Sequence, residues 1–215
     1  MIGVLGGTFD PVHFGHLRPA LEVHESLGLN ELRFIPSHVP PHREQPEVAA
    51  DHRLAMVERA IAGVRGFVAD ARELSRAGPS FTVDTLRELR AEIGVERPLL
   101  LVMGMDAFAG LDSWHRWREI PRLAHVVATH RPGTEPATDS PCMALAEVAD
   151  SVAALRSAPS GRVRFQPVTQ LDISGTAIRE CLHSGRSPRF LLPGGVLHYI
   201  AEHRLYRDAA APSSE

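Results

Sequence analysis

Lysine is absent from this sequence, and all 23 of its basic Lys+Arg residues are arginines. A P-loop needs a lysine in the pattern G-x-x-x-x-G-K-[ST], so that phosphate-binding motif is excluded. The dinucleotide pattern G-x-G-x-x-G is excluded too, because Gly3, Gly6 and Gly7 have a different spacing. Contacts to phosphate must therefore come from arginine, histidine and backbone N–H groups.

Cysteine is scarce, since Cys142 and Cys181 are the only two and lie far apart. Neither a disulfide framework nor a zinc site of the C-x-x-C type is indicated. No apolar run approaches the roughly 18 residues of a membrane span, and the first residues predict a strand instead of a signal peptide. We therefore expect a cytoplasmic protein without a membrane anchor.

The chain has little excess charge, with a formal net charge of −3. Such a balance gives no general attraction for nucleic acid or an anionic membrane, so we expect neither as a partner, and any polyanion must be bound by local clusters of charge. A length of 215 residues fits one domain. We predict that this domain spans residues 1–208 and that the small, polar tail 209–215 is disordered. The sequence does not decide between a monomer and a homo-oligomer.

Strand and helix patterns alternate along the chain. Short apolar runs predict strands at 2–5, 32–36, 67–69, 98–103, 124–129 and 163–168. Helical spacing predicts helices at 17–27, 51–62, after Thr82 up to Gly94, at 142–155, from Ile173 onward and at 195–201. This alternation is typical of a three-layer α/β fold, a Rossmann-like doubly wound and mainly parallel sheet with C-terminal helices.

The segment from Gly6 to His16 reads GGTFDPVHFGH and directly follows the first predicted strand. His13 and His16 are three residues apart, so at the start of a helix they share a face and can reach one phosphate. A sheet order of 3-2-1-4-5 would bring Asp106 to the same crevice. By itself the pair also fits a helix-capping turn with surface histidines. A zinc pair fits less well, because no third ligand has a matching spacing.

Together with Ser174-x-Thr176-x-x-Arg179, this segment resembles the H-x-G-H nucleotidyltransferases, and among them most of all the bacterial nicotinate mononucleotide adenylyltransferases. The resemblance extends from Gly3 to about Tyr206. It includes five shorter motifs, namely Pro40-Pro41-His42-Arg43, Ser80-Phe81-Thr82, Gly104-Met105-Asp106, Ser113-Trp114 and Arg131-Pro132-Gly133.

The resemblance implies transfer of AMP from ATP to nicotinate mononucleotide, with release of pyrophosphate and with Mg²⁺ accompanying ATP. It implies catalytic roles for His13, His16 and Arg179. It implies ATP contacts from a larger set of residues along both motifs and the loop after the fourth strand: Gly6, Gly7, Thr8, Phe9, Gly15, Gly104, Asp106, Ile173, Ser174 and Thr176.

For the acceptor, the resemblance implies that Thr82 and Trp114 bind the nicotinate ring. It also places His42, Arg43 and Arg131 at the mononucleotide. The family often has an aromatic residue directly after the tryptophan, whereas this chain has His115. That difference leaves the choice between an acid and an amide acceptor open. The alternatives are adenylyl transfer to nicotinamide mononucleotide or phosphopantetheine, a noncatalytic nucleotide sensor, and a metal hydrolase.

Overall fold

The computed structural model describes residues 1–39, 45–76, 78–134 and 140–207. Within these ranges, seven strands form one sheet in the order β3-β2-β1-β4-β5-β7-β6. All of its strand pairs are parallel. The strands are β1 (Ile2–Gly7), β2 (Glu31–Pro36), β3 (Phe67–Ala69), β4 (Leu99–Gly104), β5 (His125–His130), β6 (Glu147–Val148) and β7 (Arg162–Pro167).

Helices cover both faces of this sheet. They are α1 (Phe14–Leu27), α2 (Ala50–Ile61), α3 (Thr82–Ile93), α4 (Met105–Ala109), α5 (Ile120–Leu123), α6 (Val152–Arg156), α7 (Gly175–His183) and α8 (Gly194–Glu202). Two hydrophobic clusters divide the core between the faces. In β4, Leu100 and Val102 belong to the cluster with α1, α2 and α8. Leu99 and Leu101 belong to the cluster with α3 and α4. The predicted three-layer α/β fold is confirmed.

The centre of the sheet fixes where ligands can bind. β1 and β4 are neighbours at the centre of the sheet. β2 and β3 lie on the far side of β1, and β5, β7 and β6 lie on the far side of β4. In open parallel sheets, ligands bind beyond the carboxyl ends of the strands at such a reversal of strand order. The strand order in the structure confirms the assumed order 3-2-1-4-5. By this rule, the loops after β1 and β4 lie on either side of one crevice.

The predicted helix at 142–155 is wrong. The chain instead forms a 3₁₀ turn at Pro141–Ala144, then β6 and then α6. Glu147 and Val148 pair with the sheet edge at β7, and a strand pairing of this kind overrides the helical propensity of an alanine-rich stretch. Ser151 then begins a separate helix, because its Oγ accepts a hydrogen bond from the Ala154 N–H at 3.2 Å.

Several predictions fall outside the described residues. These are the contacts of His42 and Arg43, part of the loop predicted between Thr134 and Pro141, and the predicted disordered tail at 209–215. In the part of the chain that is described, none of the helices has the length and apolar character needed to span a bilayer.

Candidate active site

The first motif forms the connection from β1 to α1. β1 ends at Gly7 and α1 begins at Phe14, so His13 is the N-cap residue and is only 4% exposed. The backbone N–H of His13 donates to Nδ1 of His16 at 3.3 Å, and the two imidazole rings lie with their centroids 3.8 Å apart. The two histidines are thus together at the positive end of the α1 dipole, where an anion is favoured.

Phe9 packs against His16 of this pair. Its backbone has φ +49°, its side chain is 2% exposed, and its ring meets the His16 ring edge-on with centroids 5.1 Å apart. A Cβ on Gly7 would lie 3.0 Å from the Phe9 ring, so the absence of a side chain at Gly7 lets the ring fit. Gly6, one residue earlier, is exposed at the end of β1. Phe9 therefore orients His16 and does not form the surface of the crevice.

The second motif begins α7. The Oγ of Ser174 accepts a hydrogen bond from the Ala177 N–H at 3.2 Å, which makes Ser174 the N-cap residue. Arg179, one turn later, donates from Nη1 to the backbone carbonyl of Asp10 at 2.8 Å. Its Nη2 donates to the Oγ1 of Thr176 at 3.4 Å. The guanidinium therefore joins the second motif to the middle of the first.

Two glycines allow the motifs to approach so closely. A Cβ on Gly15 would lie 2.9 Å from both the His13 ring and the carbonyl oxygen of Ile173. A Cβ on Gly175 would lie 3.0 Å from the carbonyl oxygen of Asp10. Side chains at either position would force backbone and ring apart, so each motif contributes one glycine to a single junction.

A cavity of about 270 Å³ opens beside the histidines. Gly15 and His16 line one side of it, and Gly104 and Arg131 line the side at the carboxyl ends of β4 and β5. Gly104 is also the N-cap residue of α4, whose first turn carries the exposed Asp106. The cavity thus combines a helix N-terminus, a nearby carboxylate and an arginine. The structure places Arg131 here, on the Gly104 side of the crevice.

Thr82 and Trp114, the two residues predicted to bind a nicotinate ring, lie next to two aromatic rings that stack on each other. Thr82 is the first residue of α3, directly after Phe81, and Trp114 follows a 3₁₀ turn at Leu111–Ser113. The ring of His115 stacks on the ring of Phe81, with centroids 4.2 Å apart and planes at 29°. This stack brings the start of α3 and the segment after α4 together.

Arg53 is a residue of this site that the sequence analysis missed. It is 1% exposed and donates to three backbone carbonyls: Thr8 at 2.6 Å, Val48 at 3.1 Å and His38 at 3.3 Å. Burial lowers the pKa of its guanidinium, and the negative charge of Asp10 acts against this shift. Arg53 thereby fixes the first motif to the loop after β2 and to the segment before α2.

The spacing of residues in α2 does indicate a buried Arg53, although only weakly. The buried face of α2 consists of Arg53, Met56, Val57 and Ile61, whereas Leu54 is only half-buried. Arg53 therefore has the i, i+3, i+4 spacing of the core positions. An arginine in register with core residues indicates a buried guanidinium with backbone partners.

A family model described as cytidylyltransferase-like matches residues 4–181. The chain belongs to the cytidylyltransferase-like family. It is 52% identical over 208 residues to a protein of Pseudomonas putida strain W619 named "Probable nicotinate-nucleotide adenylyltransferase", covering 96% of this chain and 94% of that one. A protein of the same name from Pseudomonas aeruginosa strain PAO1 is 48% identical over 209 residues, with 96% and 97% covered. The resemblance found from the motifs is confirmed.

Solved structures agree on the fold of this cytidylyltransferase-like protein. It is similar to the Plasmodium falciparum nicotinic acid mononucleotide adenylyltransferase complexed with NaAD, at a TM-score of 0.69 and 15% identity, covering 95% of this chain and 96% of that one. The same Plasmodium protein complexed with APC gives a TM-score of 0.67, with the same identity and coverage. At this identity, the likeness shows a shared fold.

Burial of His13 makes the stability of this cytidylyltransferase-like protein depend on pH. Loss of hydration lowers the pKa of His13 from 6.5 to about 4. Between these values the unfolded chain binds a proton that the folded chain does not, so the free energy of unfolding falls as pH falls from 6.5 toward 4. We expect His13 to contribute about 2 to 3 kcal/mol of that fall.

Urea unfolding at pH 7 and pH 4.5, on the natural chain and on His13→Gln, measures this contribution. The variant should lose less stability on acidification than the natural chain. Burial also lowers the pKa of His125, so part of the fall should persist in the variant. Equal losses in the two proteins would show that His13 is not the group that titrates.

Proposed function

We propose that this protein transfers AMP from ATP to the phosphate of nicotinate mononucleotide, producing nicotinate adenine dinucleotide and pyrophosphate in NAD biosynthesis. The observation that carries the proposal is the junction of the two motifs: Arg179 donates to the Asp10 carbonyl, and Gly15, which lies between the two histidines in sequence, approaches the Ile173 carbonyl closely. Relatives about half identical over nearly the full chain have the name of this activity, which supports the same assignment.

His16 and His13 stabilise the triphosphate as charge builds up on it. With the His13 N–H donating to its Nδ1, a neutral His16 has its proton on Nε2, on the other side of the ring. His13 is neutral at pH 7 because burial lowers its pKa to about 4. Both therefore act as hydrogen-bond donors to nonbridging oxygens, and their effect is greatest in the transition state.

The start of α7 holds the leaving pyrophosphate. Ser174 and Thr176 offer hydroxyls beside the N–H groups of the first turn, which have no partner within the helix. Arg179 adds a planar cation with several N–H donors. The β and γ phosphates are then bound between this segment and the histidine pair, and the α phosphorus is left open to attack in line.

The adenosine occupies the cavity beside His16. Gly104 permits close approach at the start of α4, and the Asp106 carboxylate accepts hydrogen bonds from the ribose hydroxyls. Gly6, Gly7, Gly15 and Ile173 form the backbone surface between this cavity and the phosphates. Because Arg131 lines the same cavity, we assign it to ATP and not to the acceptor.

The acceptor lies across the crevice at the start of α3. Trp114 stacks on the pyridine ring, and N–H groups near Thr82 donate to its carboxylate. The positive end of the α3 dipole favours an acid over an amide there. The phosphate of the mononucleotide is already an anion at neutral pH, so its attack on the α phosphorus needs no general base.

We propose that Mg²⁺ enters bound to the phosphates of ATP. In the described ranges, no group of three or more His, Cys, Asp or Glu side chains could hold a metal ion. A magnesium ion held by the triphosphate would shield the negative charge of the phosphates.

A panel of acceptors tests this function. Purified protein is given ATP, Mg²⁺ and either nicotinate mononucleotide, nicotinamide mononucleotide or phosphopantetheine, and pyrophosphate release is measured. We expect nicotinate mononucleotide to have the highest kcat/KM, by roughly tenfold or more over the amide, and phosphopantetheine to give no release.

The outcomes of the panel separate the alternatives. Tight ATP binding without pyrophosphate from any acceptor would favour a noncatalytic sensor. Equal kcat/KM for the acid and the amide would keep adenylyl transfer but contradict the role given to the start of α3. A preference for phosphopantetheine would show that phosphopantetheine, and not nicotinate mononucleotide, is the acceptor.

A further inference from the structure

Asp10 is a buried carboxylate at the centre of the first motif, and the proposed reaction gives it no task. It is 7% exposed. Its Oδ1 accepts a hydrogen bond from the Tyr206 hydroxyl at 2.6 Å, and its Oδ2 accepts one from the Glu47 backbone N–H at 2.8 Å. Two short hydrogen bonds from separate parts of the chain hold the side chain in one orientation.

Tyr206 comes from the far end of the described chain, 196 residues from Asp10. It is 3% exposed, and its backbone has φ +57°, a left-handed conformation that is uncommon for a residue with a side chain. Burial and the Asp10 carboxylate raise the pKa of the phenol, so the hydroxyl stays a donor. The segment after α8 is thereby attached to the first motif.

Arg179 lies on the other side of Asp10. Its Nη1 donates to the Asp10 backbone carbonyl at 2.8 Å and lies 4.0 Å from the carboxylate Oδ2. Its Nε lies 3.5 Å from a carboxylate oxygen of Glu47. The carbonyl that receives Arg179 thus belongs to the residue whose side chain Tyr206 holds.

We propose that Tyr206 is a positioning residue for adenylyl transfer, which acts through Asp10 to set the direction of the Arg179 guanidinium. The inference rests on the proposed function. The Tyr206 hydroxyl fixes the Asp10 side chain, and the Asp10 carbonyl fixes Nη1 of the guanidinium. Nη2, which donates to the Thr176 hydroxyl in this structure, is then the group that meets the departing pyrophosphate.

Such a chain of contacts acts more on turnover than on binding of the acceptor. Charge on the β and γ phosphates grows as the bond to the α phosphorus breaks, so a misdirected guanidinium weakens the transition state more than the bound substrates. Nicotinate mononucleotide binds at the start of α3, away from this contact. Its KM should therefore change little when the Tyr206 hydroxyl is removed.

The chain contains a matched control, since Tyr199 is its only other tyrosine. Tyr199 is 6% exposed, and its hydroxyl pairs with Nδ1 of His52 at 2.8 Å. Tyr206→Phe and Tyr199→Phe each remove one hydroxyl and one hydrogen bond from the same C-terminal region. We expect kcat to fall by about tenfold in Tyr206→Phe and by less than about twofold in Tyr199→Phe, with the KM for nicotinate mononucleotide within about twofold in both.

A double-mutant cycle with Arg179→Lys separates positioning from general weakening of the fold. The lysine keeps a cation and measurable turnover but lacks the planar guanidinium that Asp10 directs. We expect Tyr206→Phe to lower kcat by less than about twofold further in that background. Asp10→Asn, which weakens the same link without altering the tyrosine, should reproduce the fall in kcat and the lack of additivity.

Three results would overturn the inference: natural kcat in Tyr206→Phe, equal losses in the two phenylalanine variants, or a full additional loss of kcat in the Arg179→Lys background. If Tyr206→Phe does not fold, additive losses in Asp10→Asn with Arg179→Lys would overturn it, and non-additive losses would support it. Failure of the proposed function is recognised separately, because the natural chain would then release no pyrophosphate from ATP with nicotinate mononucleotide.

Discussion

Replacing His16 with alanine should lower kcat for adenylyl transfer by a factor of about 10² to 10⁴ while ATP binding largely survives. The Phe9 ring and the His13 N–H hold the His16 imidazole in place before substrate arrives. A donor fixed in this way costs no reorganisation when charge develops on the phosphates. Steady-state pyrophosphate release gives kcat, and calorimetry gives the ATP affinity.

His24→Ala is the matched control for this variant. His24 lies on the same helix, α1, two turns after His16, and its ring contacts Phe67 with centroids 5.5 Å apart. Its removal should leave kcat of the folded protein within about twofold, because no substrate contact is proposed for it. Near-full turnover in His16→Ala would contradict the assigned role of the imidazole.

Arg53→Met should lower the free energy of unfolding by about 3 to 5 kcal/mol. The methionine fills much of the volume but leaves the carbonyls of Thr8, His38 and Val48 without their buried donor. Asp10 also loses a positive charge that lies near it. Since Thr8 is in the first motif, we expect kcat of the folded variant to fall as well.

The same helix supplies the control for Arg53→Met. Arg59 is exposed on α2, donates to the Ala55 carbonyl at 3.0 Å and lies over the Tyr199 ring. Arg59→Met should change the free energy of unfolding by less than about 1 kcal/mol. Urea unfolding of both variants measures the difference. A loss in Arg53→Met no larger than that in Arg59→Met would show that the three carbonyls do not depend on Arg53.

The sheet was predictable because its signals are local. The run Leu99-Leu100-Leu101-Val102-Met103 has no alternation, as expected of a strand covered on both faces, and it is buried on both. The helix predicted at 142–155 was wrong because the alanines of this stretch favour a helix by local propensity. Pairing of Glu147 and Val148 with β7 decides its structure, and pairing between distant segments leaves little trace in local composition.

In the candidate site as well, the local motifs were predictable from the sequence and the contacts between distant segments were not. The histidine pair and the Ser174 cap are short motifs, and the structure places each at a helix start where the sequence predicted it. The contact of Arg179 with Asp10 and the hydroxyl of Tyr206 join segments 169 and 196 residues apart. Asp10 and Arg179 each lie in a motif, but no pattern in the sequence indicates that the two residues touch or that the Tyr206 hydroxyl reaches Asp10, so both contacts required the structure.

The most direct test of the proposed reaction follows the oxygens of the acceptor phosphate. Nicotinate mononucleotide labelled with ¹⁸O in its phosphate is incubated with ATP, Mg²⁺ and the protein, and the products are analysed by mass spectrometry. If that phosphate attacks the α phosphorus and pyrophosphate leaves, the label is retained in full in nicotinate adenine dinucleotide and none appears in pyrophosphate. Label in the pyrophosphate, or the absence of the dinucleotide, would contradict adenylyl transfer to this acceptor.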